Sequence, residues 1–412
     1  MHHISLTYGL FRLGAGWPFK DPYTHPGFDF VTVAIHIFRM PTFFVVARFF
    51  SHLLVARNGM QGMLVNRVRR VLLPLVVLAI PLGLTTWAAM EWGKYRFTGG
   101  AGRAISSGLL DLSPFQPFLL NHLWFLYYLL IFYAILALVW ELGRVLPLAN
   151  AYETALRVSG NAVGHPGSVL LLAALSFGVL LTMPSRTLET FVVLWPLHWN
   201  SLGGYFTFFG FGWILFHKRE ALSGFARFGT VYCLLAIVTV AVNYFSVLKT
   251  GNALAAQNFL RAEQWRLVTA VTGALGAALL VYGLIGFFVR HFEKHRRVVR
   301  YLADSCYWLY LTHLPLVIVL SVWMMPWNAP AIVKVTINLA VSVTLLLVSY
   351  EYFVRNTVIG MFLNGRRLQP GLPHESIAGS EVKVPENASP DLAWGRDAIS
   401  RRSLGSGPNA ES

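Results

Sequence analysis

The sequence predicts an all-α, polytopic transmembrane helix bundle of about ten helices, with the first one truncated. Three observations predict it. Of 412 residues, 56% are hydrophobic and only 12% charged, more apolar surface than a soluble globular chain of this size needs. Nine apolar runs are each long enough to cross a bilayer, or can be extended to do so. The basic residues then alternate in density from one inter-run loop to the next, as positive-inside loops do.

The first element, Met1–Gly16, is mildly apolar and too short to span, and it reads as the outer end of a helix entering from the cytoplasm. It lacks the basic start and continuous apolar core of a signal peptide. Full runs follow near 30–56, 71–90, 119–141, 168–184, 203–217, 228–248, 267–289, 301–325 and 331–354, with Phe191–Leu202 extending the short fifth run. Loops 57–70, 142–167, 217–227, 290–300 and 355–367 together carry 17 Lys/Arg, against 9 in the alternate loops, so the first set is expected in the cytoplasm.

Two domains follow: residues 1–364 as the transmembrane domain and 365–412 as a disordered cytoplasmic tail rich in Pro, Gly, Ser, Asn and Glu. A tail on that side would keep the sequon Asn387-Ala388-Ser389 away from glycosylation. The tail holds six Lys/Arg and six Asp/Glu, so the whole +15 net charge belongs to the membrane domain. Basic groups placed there orient helices and attract anionic head groups or substrates, which argues against nucleic acid as a partner and for membrane lipids. Cys233 and Cys306 lie in different apolar runs and suggest neither a disulfide framework nor a metal site. The chain has no internal repeat of the kind that builds many transporters.

Four groups of residues could carry chemistry. In His2-His3-Ile4-Ser5-Leu6-Thr7-Tyr8 an imidazole stands near the start of a buried helix, where it could take a proton from a hydroxyl at neutral pH. The bland alternative is a start-proximal histidine with no role. His36 and Arg39 share one helix face, with Pro41 next to kink the backbone toward a cavity. A cation in hydrocarbon costs at least a few kcal/mol, so Arg39 is either functional or one half of a buried pair with Glu351 or Asp304. Arg48 is close enough to Arg57 to snorkel to the cytoplasmic surface.

The third group is Arg57 with Asn66-Arg67-Val68-Arg69-Arg70 before Pro74. Guanidinium groups bind phosphates in bidentate geometry, although basic loop residues are also ordinary topology determinants. The fourth comprises His122-Leu123-Trp124-Phe125-Leu126-Tyr127-Tyr128 and Cys306–Pro315. There Tyr310 and His313 fall on one face beside Pro315, and either wall a polar cavity or anchor the span ends.

Taken in order, His3–Tyr8, Phe38–Phe44, Arg67–Arg70 with Pro74, His122–Leu126, Tyr307–Pro315 and the closing Ser349–Arg355 resemble the acyltransferase type 3 family of integral membrane O-acyltransferases. The likeness covers roughly residues 1–367, and its wording is most like the glucan succinyltransferase subgroup. The resemblance implies that His3 matches the family's essential first-helix histidine, by its spacing to Tyr8, with His2 a less favoured register. A basic residue about three turns ahead of it would fall before Met1. Arg67 and Arg70 match a family arginine pair. Val46-Ala47-Arg48-Phe49-Phe50 departs from the pattern, because Arg48 stands where the family has a small residue at a close helix contact.

The implied activity is transfer of an acyl group, acetyl or succinyl, from acyl-CoA to a hydroxyl of a cell-envelope glycan, with acyl-CoA as donor substrate and no bound cofactor or metal. The setting implied is the bacterial inner membrane, with the C-terminus cytoplasmic. His3 would be the general base, and Arg39 would orient it or stabilise the developing oxyanion. Arg67 and Arg70 would hold coenzyme A phosphates, with His36, His122, Trp124, Tyr310 and His313 lining the substrate cavity. The competing readings are a transporter or channel for an anionic solute, centred on Arg39 and His36, and an inactive truncated family member.

Overall fold

A computed structural model describes residues 1–11, 17–98, 120–146, 149–163, 165, 167–189, 197–292 and 297–364. The expected disordered tail, and the sequon in it, lie outside the described residues. Among those residues every regular element is helical. α1 (His2–Tyr8) is followed by a strap through residues 17–25 into α2 (Pro26–Arg67), a π-helical turn (Val68–Leu72) and α3 (Leu73–Phe97). A 3₁₀ turn (Asn121–Leu123) leads into α4 (Trp124–Val145), then α5 (Ala149–Val163), α6 (Ser168–Leu180) and α7 (Trp199–His217). α8 (Ala221–Ala255), α9 (Phe259–His291), α10 (Arg297–Met324) and α11 (Ala331–Ser349) follow. A second π-helical turn (Tyr350–Val354) and α12 (Val358–Asn364) close the described chain.

Local chemistry sets several boundaries. At the start of α2 the His25 side chain accepts a hydrogen bond from Gly27 N at 3.0 Å, and Pro26 opens the first turn, where its missing N–H costs nothing. The predicted loop 57–70 is helical instead, broken only at Gly59, whose φ of 69° and ψ of 176° divide α2 into two legs. Good helix formers such as Met60, Gln61, Met63 and Leu64 carry the chain through that loop, and glycine alone takes the positive φ at low cost.

Among the described residues six helical stretches are long and apolar enough to cross a membrane, or seven if the bent pair Glu153–Val163 and Ser168–Leu180 forms one span. Nine spans are expected from the sequence, and the difference has two sources. The first two runs lie within one stretch, Pro26–Phe97, that counts once. α6, at 13 residues, is too short to cross alone, and α7 carries Asn200, Ser201 and four glycines that dilute its apolar character.

Two glycines let the helices close up. A Cβ on Gly212 of α7 would lie 2.2 Å from the Val45 carbonyl oxygen of α2, and one on Gly286 of α9 would lie 2.0 Å from that of Phe225 on α8. Both contacts require glycine, as small residues do where helices pack without a hydrophobic drive between them. Beside the first contact the side chains of Phe44, Trp124, Phe132, Tyr205 and Phe209 form an aromatic core between α2, α4 and α7. Phe44 and Phe132 are fully buried there. The packing holds the α2 leg that carries His36 and Arg39 against α7, and so positions the site.

Candidate active site

α1 is too short to hold its own place. The strap does so: Asp21 N donates to the Thr7 carbonyl at 3.0 Å, His25 N to that of Tyr8 at 2.9 Å, and Trp17 Nε1 to Thr7 Oγ1 at 3.1 Å. Asp29 Oδ2 and Oδ1 accept the N–H groups of Leu10 and Phe11 at 2.8 and 3.0 Å. Asp21 is itself anchored by Lys334 of α11, whose Nζ donates to both carboxylate oxygens at 3.0 and 2.8 Å, and both side chains are fully buried. The apolar bundle thus fixes the position of His2 and His3 through one buried ion pair and a short set of backbone bonds.

His3 stacks on Trp17 at 6.3 Å between centroids and faces His313 of α10 at 5.3 Å, and His313 lies 5.1 Å from His122. His2 stacks on His36 at 6.1 Å and meets His3 edge-on at 5.2 Å. Arg39 is in electrostatic contact with all five of these histidines and with Tyr205 and Tyr310. No ion pair joins it to a carboxylate among the described residues, and its buried Nε has no hydrogen-bond partner. Glu351, one expected partner, is instead paired with Arg355 at 2.6 Å.

Backbone carbonyls fix three of the rings. His122 Nε2 donates to the Leu311 carbonyl at 2.9 Å and His36 Nε2 to that of Leu188 at 2.9 Å, while His313 Nδ1 donates to Tyr310 O at 2.8 Å. A neutral ring held this way keeps its other nitrogen as an acceptor, and His122 Nδ1 is buried without a partner among the described residues. The Tyr310 hydroxyl returns a bond to the His122 carbonyl at 2.7 Å, so α10 and the 3₁₀ turn before α4 lock each other. His3 makes ring contacts but no hydrogen bond to a described residue. Its nitrogens are therefore uncommitted, which a proton acceptor requires.

The remaining candidates lie elsewhere. Trp124 belongs to the aromatic core, 5.2 Å from Tyr205 and 6.5 Å from Phe44. Arg67 and Arg70 form a second cluster, one at the end of α2 and the other in the π-helical turn. The Arg67 guanidinium sits over the Tyr133 ring at 5.1 Å, and the Tyr307 hydroxyl donates to the Arg70 carbonyl at 2.5 Å. Tyr307 stacks on Tyr310 at 6.3 Å, so Tyr307, Tyr310 and His313 line one face of α10 from the arginine cluster to the histidine cluster. By helical rise that is about 9 Å. The spacing of Tyr307 from Tyr310 could have flagged it in the sequence. Trp17 and Tyr133 had no such signal, because only tertiary packing brings them to the site.

Arg48 does not reach the surface. It is 5% exposed, with Nη1 3.4 Å from Ser51 Oγ and 3.5 Å from His52 Nδ1, and its guanidinium lies 5.7 Å from the Phe209 ring centre. Its bulk is accommodated because Gly212 provides the small residue from the opposite helix, with the Arg48 Cβ only 3.1 Å from a Cβ placed there. Among the described residues no three His, Cys, Asp or Glu side chains converge closely enough to hold a metal ion.

An all-helical membrane bundle with a buried histidine–arginine cluster joined by an aromatic face to a basic cluster defines the class, and the sequence places it. The chain belongs to the acyltransferase domain family, whose profile matches residues 1–351. It is similar to glucans biosynthesis protein C of Escherichia coli K12, at 24% identity over 379 residues, 88% of this chain and 90% of that one. The counterpart from E. coli O81 strain ED1a is 24% identical over 347 residues, covering 81% of this chain and 83% of the other. No solved structure matches the chain. It is therefore a multi-pass membrane acyltransferase by family and fold.

Proposed function

We propose that the protein transfers an acyl group from acyl-CoA to a hydroxyl of a cell-envelope glycan, in the bacterial inner membrane and with its C-terminus in the cytoplasm. The observation that carries this reading is His3. It is an imidazole without a hydrogen-bond partner among the described residues, held by Trp17 and His313 inside a cluster that includes Arg39. His3 accepts the acceptor's hydroxyl proton as its oxygen attacks the thioester carbonyl. The carbon–sulfur bond then breaks, and the coenzyme A thiolate leaves and is protonated by the histidinium.

Arg39, which has no carboxylate partner among the described residues, supplies fixed positive charge where the oxyanion develops. Arg67 and Arg70 take the donor's phosphates, and the Tyr307–Tyr310–His313 face leads its thioester arm toward His3. His122 shapes the acceptor side, and His36 lines the space beside His2. The test is thiol release from acyl-CoA by the protein in nanodiscs, with a glucan acceptor present. Activity that disappears in His3→Ala at unchanged expression and insertion, and persists in His2→Ala, supports the assignment. Wild-type turnover in His3→Ala overturns it, and uptake of an anionic solute into vesicles without thiol release would favour a transporter.

A further inference from the structure

Beside the histidine cluster, on the His2 and His36 side, lies a cavity of about 350 Å³ between α1, α2, α6, α7, α8 and α9. This falls within the size range of small-molecule sites. Its walls are mostly apolar, with Leu6, Val33, Phe208, Val247 and Ala277 among them. Polar side chains that line it are largely committed to protein partners. Thr32 bonds to Ser5 and the Phe28 carbonyl, Ser176 to the Leu172 carbonyl, and Asn243 to Thr269 O and Thr272. Arg186 is paired with Glu263 at 2.7 Å. The exception is His2, whose Nδ1 is buried without a partner among the described residues, 5.2 Å by ring centroids from His3 and in electrostatic contact with Arg39.

Such a cavity favours an occupant that is apolar along its body and polar at the end next to the reacting groups. We infer that it seats the neutral, apolar acyl chain of a donor thioester longer than acetyl, with the carbonyl end toward His2, Arg39 and His3. The inference rests on the transfer reaction proposed above and narrows its acyl group. A terminal carboxylate, as in succinyl, would be placed in the apolar part, where the neighbouring Arg186 is already paired, and would lose its hydration there.

The test is the affinity of the full chain in nanodiscs for acetyl-CoA, octanoyl-CoA and succinyl-CoA by titration calorimetry, with empty nanodiscs subtracted. Burying added methylenes strengthens binding, so octanoyl-CoA should bind at least about tenfold more tightly than either of the others. Ala277→Leu and Val33→Phe, which fill the cavity from two of the helices that line it, should each bring the octanoyl-to-acetyl ratio toward one. Equal affinities for octanoyl-CoA and acetyl-CoA in the wild type would overturn the inference while leaving acyl transfer intact, as would succinyl-CoA binding as tightly as octanoyl-CoA. Failure of all three donors to bind would overturn both. Should a variant fail to insert, the wild-type series decides alone.

Discussion

The ion pair between Asp21 and Lys334 offers the sharpest test of how the site is held together. Both side chains are wholly buried, Lys334 Nζ also approaches the Met325 carbonyl at 3.4 Å, and Asp21 Oδ1 accepts from Tyr23 N at 2.9 Å. Lys334→Met leaves a carboxylate inside the protein with its counter-charge gone, a change that costs about 3–5 kcal/mol. That corresponds to roughly a hundred- to several-thousandfold in the folding equilibrium. Asp21→Asn strands the ammonium in the same way. The double change Asp21→Asn with Lys334→Met removes both charges and keeps an acceptor for Tyr23 N, so its cost should be smaller than either single cost.

A double-mutant cycle from equilibrium unfolding in mixed micelles measures this, and the coupling should reach about 3 kcal/mol or more. The same single variants should lower turnover. Asp21 and Trp17 position Thr7, Trp17 stacks on His3, and a displacement of about 1 Å at a reacting group can cost about a hundredfold. Single variants with unchanged unfolding midpoints, or costs that simply add in the double variant, would refute the reasoning.

Further outcomes follow from other features. Replacing Arg67 or Arg70 with Ala should raise the KM for acyl-CoA by about ten- to a hundredfold, as expected for a lost charge-assisted contact, with that for the acceptor nearly unchanged; steady-state kinetics in both substrates checks it. Gly212→Leu should abolish folded protein in size-exclusion profiles, because its side chain would meet the Val45 carbonyl and Arg48, whereas Gly203→Leu, with nothing within 4 Å of its Cβ, should be tolerated. Reporter fusions after Gly251 and after Arg367 should read outside and inside respectively, and two fusions reading the same side would overturn the charge-based orientation.

Sequence by itself determined the fold class, the apolar runs and the candidate polar groups, since hydrocarbon length and the cost of charge in lipid are written in composition and spacing. It also placed Tyr310 and His313 on one face of α10, because a helix turns by a known angle per residue. Only the tertiary structure decided which of these groups meet. His3, His313 and His122 come from segments more than a hundred residues apart in sequence and converge through ring contacts and carbonyl bonds that no local pattern encodes. Arg48 looked like a surface-seeking cation until its partner helix was known, because the glycine that makes room for it lies in α7. The Asp21–Lys334 pair was illegible for the same reason: a buried ion pair requires two positions to be neighbours in space, and these stand 313 residues apart.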